Sequence, residues 1–162
     1  MLLYRLSRHA YVRDLTGEGA RLVGGRWNEK GIPVLYTSNT LSLAFLEVLC
    51  HMKPALIKNL FSVLVLEYNE TKFPLQAFSE HVLSENWHDF PAPVSTIECG
   101  SDWIRARKSV GVRVPSAAIP FTNESEWNVL LNPLHRDFDR AVKIYNVFPF
   151  SYDDRLNRLT EN

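Results

Sequence analysis

Short apolar runs alternate with breaks marked by proline, glycine and polar residues, and their spacing predicts strands at both ends of the chain with helices between them. Leu2 to Ser7 reads as a strand. Pro33-Val34-Leu35-Tyr36-Thr37-Ser38 reads as a second, bounded by Gly-Ile-Pro and Ser-Asn-Thr. LSLAFLEVLCHM, residues 41–52, carries the strongest helical pattern, with Asn39 or Thr40 placed to cap it and Pro54 to stop it. Phe61 to Tyr68 is apolar on both faces and too short for a buried helix, so it reads as a central strand. Residues 69–93, broken by Pro74, Pro91 and Pro93, read as a meandering connection with at most one short helical turn. Ser95 to Lys108 fits a helix entered through Ser95 or Thr96. Val110 to Val114, Trp127 to Leu131, and Ala141 to Val147, ending at Pro149, supply three further strands. About six strands with two or three helices make an α+β fold, in one domain covering residues 1–162.

The first break is glycine-rich. Gly17, Gly19, Gly24, Gly25 and Gly31 lie between the first two strands, together with Arg21, Arg26, Trp27, Asn28 and Lys30, and predict an irregular loop. The glycines match neither GxGxxG nor GxxxxGK[ST], so neither a dinucleotide fold of the Rossmann type nor a P-loop is indicated.

Composition narrows the function classes. The chain has 162 residues, 46% of them hydrophobic, enough for one core and one site. Eighteen basic side chains balance eighteen acidic ones, so the long-range field that draws proteins to nucleic acid or anionic membranes is missing. Arg5 and Arg8 interrupt any secretory apolar stretch, and no run approaches the roughly 20 apolar residues that span a bilayer. A soluble cytoplasmic protein is expected. Cys50 and Cys99 form no CxxC or Cys/His cluster and are expected to be buried, inert thiols.

Glu47 is the only acid in an otherwise apolar helix, where a carboxylate is costly unless paired or hydrogen-bonded. Two readings stay open at this point: a catalytic carboxylate at a cleft, or a residue on the helix's wet edge facing His51. Arg26, between Gly25 and Trp27, has the form of an anion-binding residue in a loop that a ligand can approach closely; spacing alone favours an exposed arginine stacked on Trp27. Tyr36 taken alone reads as core, and Ser116 as a strand exit that lacks a hydrolase elbow. His135, Asp137 and Asp139 are spaced like metal ligands, but Arg136 and Arg140 between them favour a salt-bridged surface.

Taken in order, YRLSR, GGRWNEKGIPVLYTS, SLAFLEVLCH, VRVPSAAIP and NVLLNPLH resemble the RES domain, the toxin of RES–Xre toxin–antitoxin pairs, over nearly the whole chain. The resemblance implies an ADP-ribosyltransferase-like fold with mixed or antiparallel strands in a split sheet, acting on NAD as substrate without a metal. By motif position it implies Arg26, Tyr36 and Glu47 as catalytic residues, with Arg26, Tyr36 and Ser116 binding the dinucleotide and Arg5 and Asn132 as further contacts. NAD depletion by hydrolysis or phosphorolysis is the first expectation, and ADP-ribosylation of a protein the alternative. An RNA-targeting toxin and a non-catalytic binding module are the contrasting classes, and zero net charge argues against the former. The implied partner is an Xre-like antitoxin, which would carry any DNA contact; Trp87 and Tyr152 are candidate interface aromatics, and homo-oligomerisation is left open.

Overall fold

Short apolar runs, several of them buried on both faces, build among the described residues a single sheet of seven strands: β1 (Leu2–Arg8), β2 (Leu35–Ser38), β3 (Phe61–Tyr68), β4 (Gln76–Ala77), β5 (Gly111–Val114), β6 (Asn128–Leu131) and β7 (Val142–Pro149). The computed structural model describes residues 1–57, 60–78, 83–120 and 125–156. The strand order is β4-β5-β6-β2-β1-β3-β7, with β4 and β5 parallel and every other pair antiparallel. The helices are α1 (Glu18–Val23), α2 (Leu41–Leu49), α3 (Pro54–Ile57), α4 (Val94–Ala106) and α5 (Phe138–Ala141). The expected α+β class stands.

The sheet is nearly divided at its middle. β1 runs along β3 in continuous register from Leu2 to Arg8, whereas β1 and β2 share only the pair Tyr4↔Ser38. One half is therefore β4-β5-β6-β2 and the other β1-β3-β7, joined at Ser38.

Side-chain parity assigns the two faces. Leu3, Leu35, Leu64, Leu66, Val129 and Leu131 point to one side and close a core with Phe138 and Ala141 of α5. The opposite side carries two cores: Leu6, Val63 and Val65 pack under Ala44 of α2, and Val112, Val114 and Leu130 pack under Trp103 and Ile104 of α4. Tyr36 belongs to this second side. Alternation then puts Ser38 and Asn128 there too, between the two helices.

Several local expectations are corrected. The glycine-rich segment is not wholly irregular, since it contains α1, entered at Gly17 (φ 73°) and left at Gly24 (φ 77°). α2 stops at Leu49, short of the expected residue 52, and Thr40 rather than Asn39 caps it by accepting from Leu43 N–H at 3.1 Å. α4 begins one residue early; its capping position is Pro93, and Thr96 donates back to the Pro93 carbonyl at 2.8 Å. β3 is an interior strand buried on both faces, as expected, and it lies between β1 and the edge strand β7. The connection at 69–93 holds the short strand β4, and its residues 79–82 lie outside the described residues. Cys50 is exposed and Cys99 half-buried, so neither is a fully buried thiol; desolvation pushes both above the ordinary thiol value, and both are disfavoured as thiolates.

Candidate active site

β2, β5 and β6 bring one row of polar side chains to the seam. In register, Ser38 lies opposite Asn128, and Asn128 opposite Val114, with Ser116 two residues beyond on the same side. Above this row α2 presents Glu47, one turn after the buried Leu43. Glu47 does not pair with His51. Its Oε1 accepts from Ser116 Oγ at 2.7 Å and from Asn128 Nδ2 at 2.5 Å. Oε2 makes no hydrogen bond among the described residues and is not sealed from solvent.

Arg26 reaches the same region from the turn after α1. Rather than stacking on Trp27, it donates from Nη1 to the Trp87 carbonyl at 2.6 Å and from Nη2 to the Asp89 carbonyl at 2.9 Å. Neither bond neutralises it. Partial burial pulls its proton affinity below the ordinary arginine value, and the negative field of Glu47, with smaller effects of Tyr36 and Asp89, works against that. The guanidinium stays cationic, and among the described residues no carboxylate pairs with it at contact distance.

Tyr36 fixes the turn that carries Arg26. Its hydroxyl accepts from Trp27 N–H at 3.0 Å and donates to Asn28 Oδ1 at 2.8 Å. Asn28, only 1% exposed, donates from Nδ2 to the carbonyls of Ala20, Glu29 and Ile32. Gly25 is required at this contact, because a Cβ there would sit 2.6 Å from the Tyr36 hydroxyl. Burial pushes the Tyr36 phenol well above its usual value, opposed by the Trp27 N–H and Arg26 and reinforced by Glu47, so it remains a donor. Tyr36→Phe leaves Asn28 Oδ1 and Trp27 N–H without their partner and is expected to destabilise the fold by about 1–3 kcal/mol. The tyrosine's share of stability is complete below its ordinary pKa near 10 and is lost as pH rises toward the raised folded value. Urea unfolding of both proteins at neutral and alkaline pH should show the gap between them narrowing above about pH 10.

The structure thus brings Arg26, Tyr36, Glu47 and Ser116 together, and leaves two candidates apart. Arg5 shares the parity of Leu3 on the opposite face of the sheet, where Nη1 donates to the Asp14 carbonyl at 2.6 Å. Asn132 is fully buried after β6, its Nδ2 donating to the Ile104 carbonyl and its Oδ1 accepting from Leu134 N–H. It braces the turn into residues 133–135. Asn128, at the other end of the same strand, is the asparagine that reaches Glu47; it shares the parity of Asn132, and the register that sets it opposite Ser38 is what distinguishes it. Asn28 was equally hidden, since its value lies in three backbone carbonyls within eight residues, which only the folded turn brings around its side chain.

The discounted metal-like string behaves as a surface. Asp137 pairs with Arg140 at 2.5 Å and Arg136 at 3.5 Å, and its N–H donates to His135 Nδ1. Among the described residues no three His, Cys, Asp or Glu side chains are placed to share a metal, and no helix is long and apolar enough to cross a membrane. Trp87 and Tyr152, expected to be exposed, are half-buried, stacked on Trp27 and Phe45 with ring centroids 6.4 and 5.4 Å apart.

Known proteins share this architecture and sequence. A protein named Toxin Res from Yersinia enterocolitica is 34% identical over 157 residues, covering 96% of this chain and 99% of its own length. A Sphingobium protein named Prs ADP-ribosylating toxin is 32% identical over 146 residues, covering 90% and 88%. The crystal structure of the M. tuberculosis MbcT–MbcA toxin–antitoxin complex contains a chain of the same fold, with a TM-score of 0.72 at 14% identity, covering 93% of this chain and 84% of that one. The expected ADP-ribosyltransferase-like arrangement of a mixed sheet and few helices agrees with that fold. The RES domain pattern matches residues 2–153, and with relatives this similar over nearly their full length the chain belongs to the RES domain family.

Proposed function

We propose that this protein is the toxin of a toxin–antitoxin pair and cleaves the bond between nicotinamide and ribose in NAD, passing ADP-ribose to water or inorganic phosphate. The observation that carries the reading is the state of Glu47: one carboxylate oxygen gripped by two donors, the other open, with the Arg26 charge in range. The relatives named as toxins support the cellular role.

The chemistry follows from the bond that breaks. Its electron pair leaves with the ring nitrogen, so nicotinamide departs neutral and positive charge spreads over C1′ and the ribose ring oxygen, as in glycoside cleavage. Glu47 Oε2 stabilises that cation in a partly desolvated setting. Water then bonds to C1′ and releases a proton, giving ADP-ribose; phosphate in its place gives the 1-phosphate. Tyr36 offers a ring face to nicotinamide, and Arg26 uses its remaining N–H groups on the pyrophosphate or a ribose hydroxyl. Ser116 acts on the carboxylate.

Arg26→Lys tests the substrate contact. A lysine supplies the charge but neither the fork that ties the residue to the Trp87 and Asp89 carbonyls nor a second donor for the ligand. Losing charged hydrogen bonds worth about 1.5–3 kcal/mol should lower kcat/KM roughly 10- to 100-fold. Nicotinamide release followed by chromatography reads this directly, and an unchanged kcat/KM would remove Arg26 from the site.

The name of the Sphingobium relative favours a second reading, in which a protein side chain accepts ADP-ribose. Nicotinamide release matched by labelling of added protein would support it. The structural neighbour's complex supports an antitoxin partner for this chain, and we assign that partner to the Xre-like class expected from the sequence.

A further inference from the structure

We propose that Asn128 is a positioning residue for Glu47, aimed by Ser38, and that the pair selects Oε2 as the oxygen presented to substrate. The proposal rests on the reading of Glu47 as the carboxylate facing the ribose.

The polarity of the network has one solution. Ionised Glu47 only accepts, so the Asn128 side chain must turn its NH₂ toward Oε1 and its carbonyl away. Ser38 Oγ donates to that carbonyl at 2.6 Å and holds the amide in this orientation. Ser116 is constrained in the same way: its oxygen accepts from Ala118 N–H at 3.1 Å, and its proton goes to Glu47. Both donors meet one oxygen. Two bonds from different segments, β6 and the chain just past β5, fix the rotation of a carboxylate on a flexible three-torsion side chain, which one bond would leave free to swing. Ser38 is 3% exposed and sits on the single β1–β2 pair, so the relay is anchored at the join between the sheet halves.

The test is steady-state kinetics on NAD for Asn128→Ala, Asn128→Asp and Ser38→Ala, with a melting curve for each. Asn128→Ala should lower kcat roughly 10- to 100-fold with KM within about twofold, and Ser38→Ala should do the same more weakly. Asn128→Asp has the native shape but brings a second carboxylate to Oε1, and should fall below Asn128→Ala. Asn128→Asp matching wild type, or a raised KM at unchanged kcat, would overturn the proposal. Side-chain amide NMR judges the contact independently of activity: the Asn128 NH₂ signals should move in Glu47→Ala, which removes the acceptor, and signals that stay in place would overturn it. Should wild-type protein release no nicotinamide, the functional reading fails while the amide shift still decides the contact.

Discussion

Glu47→Gln is expected to fold, to bind NAD and to lose about 10²- to 10³-fold in kcat. The amide has the shape of the carboxylate, and its oxygen accepts from Ser116 and Asn128 as Oε1 does, so the grip on the side chain survives. The charge is lost, and an NH₂ takes the position of Oε2. A donor at that point meets a developing cation with the wrong sign. Because the interaction is made only as the bond breaks, kcat and kcat/KM should fall together while KM changes little. A melting temperature close to wild type shows that the loss is chemical. A folded variant with wild-type kcat would mean that Glu47 is structural and that the chain acts through another property, such as binding.

The second large effect lies away from the polar row. Gly100→Ala is expected to destabilise the protein by about 1–3 kcal/mol or more, because the added Cβ would stand 2.0 Å from the Trp27 carbonyl oxygen and 2.7 Å from its carbon. Backbone lies on both sides of this contact, so no side chain can move aside. α4 is the seat of the turn that carries Arg26: Ser101 accepts from Glu29 N–H at 2.9 Å, and Arg105 binds the Glu29 carboxylate. The buried Trp27, 2% exposed, is adjacent to Arg26 in sequence. Pushing the turn off α4 should therefore lower activity along with stability. Thermal melting should show a drop of roughly 3–10 °C. A melting point within a degree of wild type would mean that the turn and helix are not tightly joined here.

Much of the fold was legible because its elements keep a simple period. β1, β2, β3 and α2 follow apolar runs bounded by turn residues, and the Thr40 cap is a common helix start. α1 was hidden because a helix containing Gly19 and entered through a glycine has little intrinsic propensity; its place is fixed by tertiary contacts such as the Asn28 bond to the Ala20 carbonyl. β4 is two residues long and exists only as a parallel partner of β5. The site was legible only in part. Glu47 announced itself as a charge in an apolar helix, whereas Arg26, Tyr36 and Ser116 were raised by family resemblance against their local patterns. Arg5 and Asn132 show the limit of that resemblance, since motif position reveals neither which face of a strand a side chain takes nor which end of a strand meets the site. Strand parity separates Arg5 from Tyr36, and register, which sets Asn128 opposite Ser38 and leaves Asn132 past the other end of β6, separates Asn128 from Asn132. That information required the pairing of β2 with β6, which one sequence does not display.

The most direct measurement is proton NMR of NAD incubated with the purified, antitoxin-free protein, in phosphate and in a phosphate-free buffer. Free nicotinamide signals should grow while the anomeric proton of the nicotinamide ribose is replaced by that of ADP-ribose, or of its 1-phosphate where phosphate is the acceptor. Both changes should be absent with Glu47→Gln on the same time scale. NAD left intact in both buffers by folded wild-type protein, or cleaved equally fast by the variant, would contradict the assignment of bond cleavage to this carboxylate.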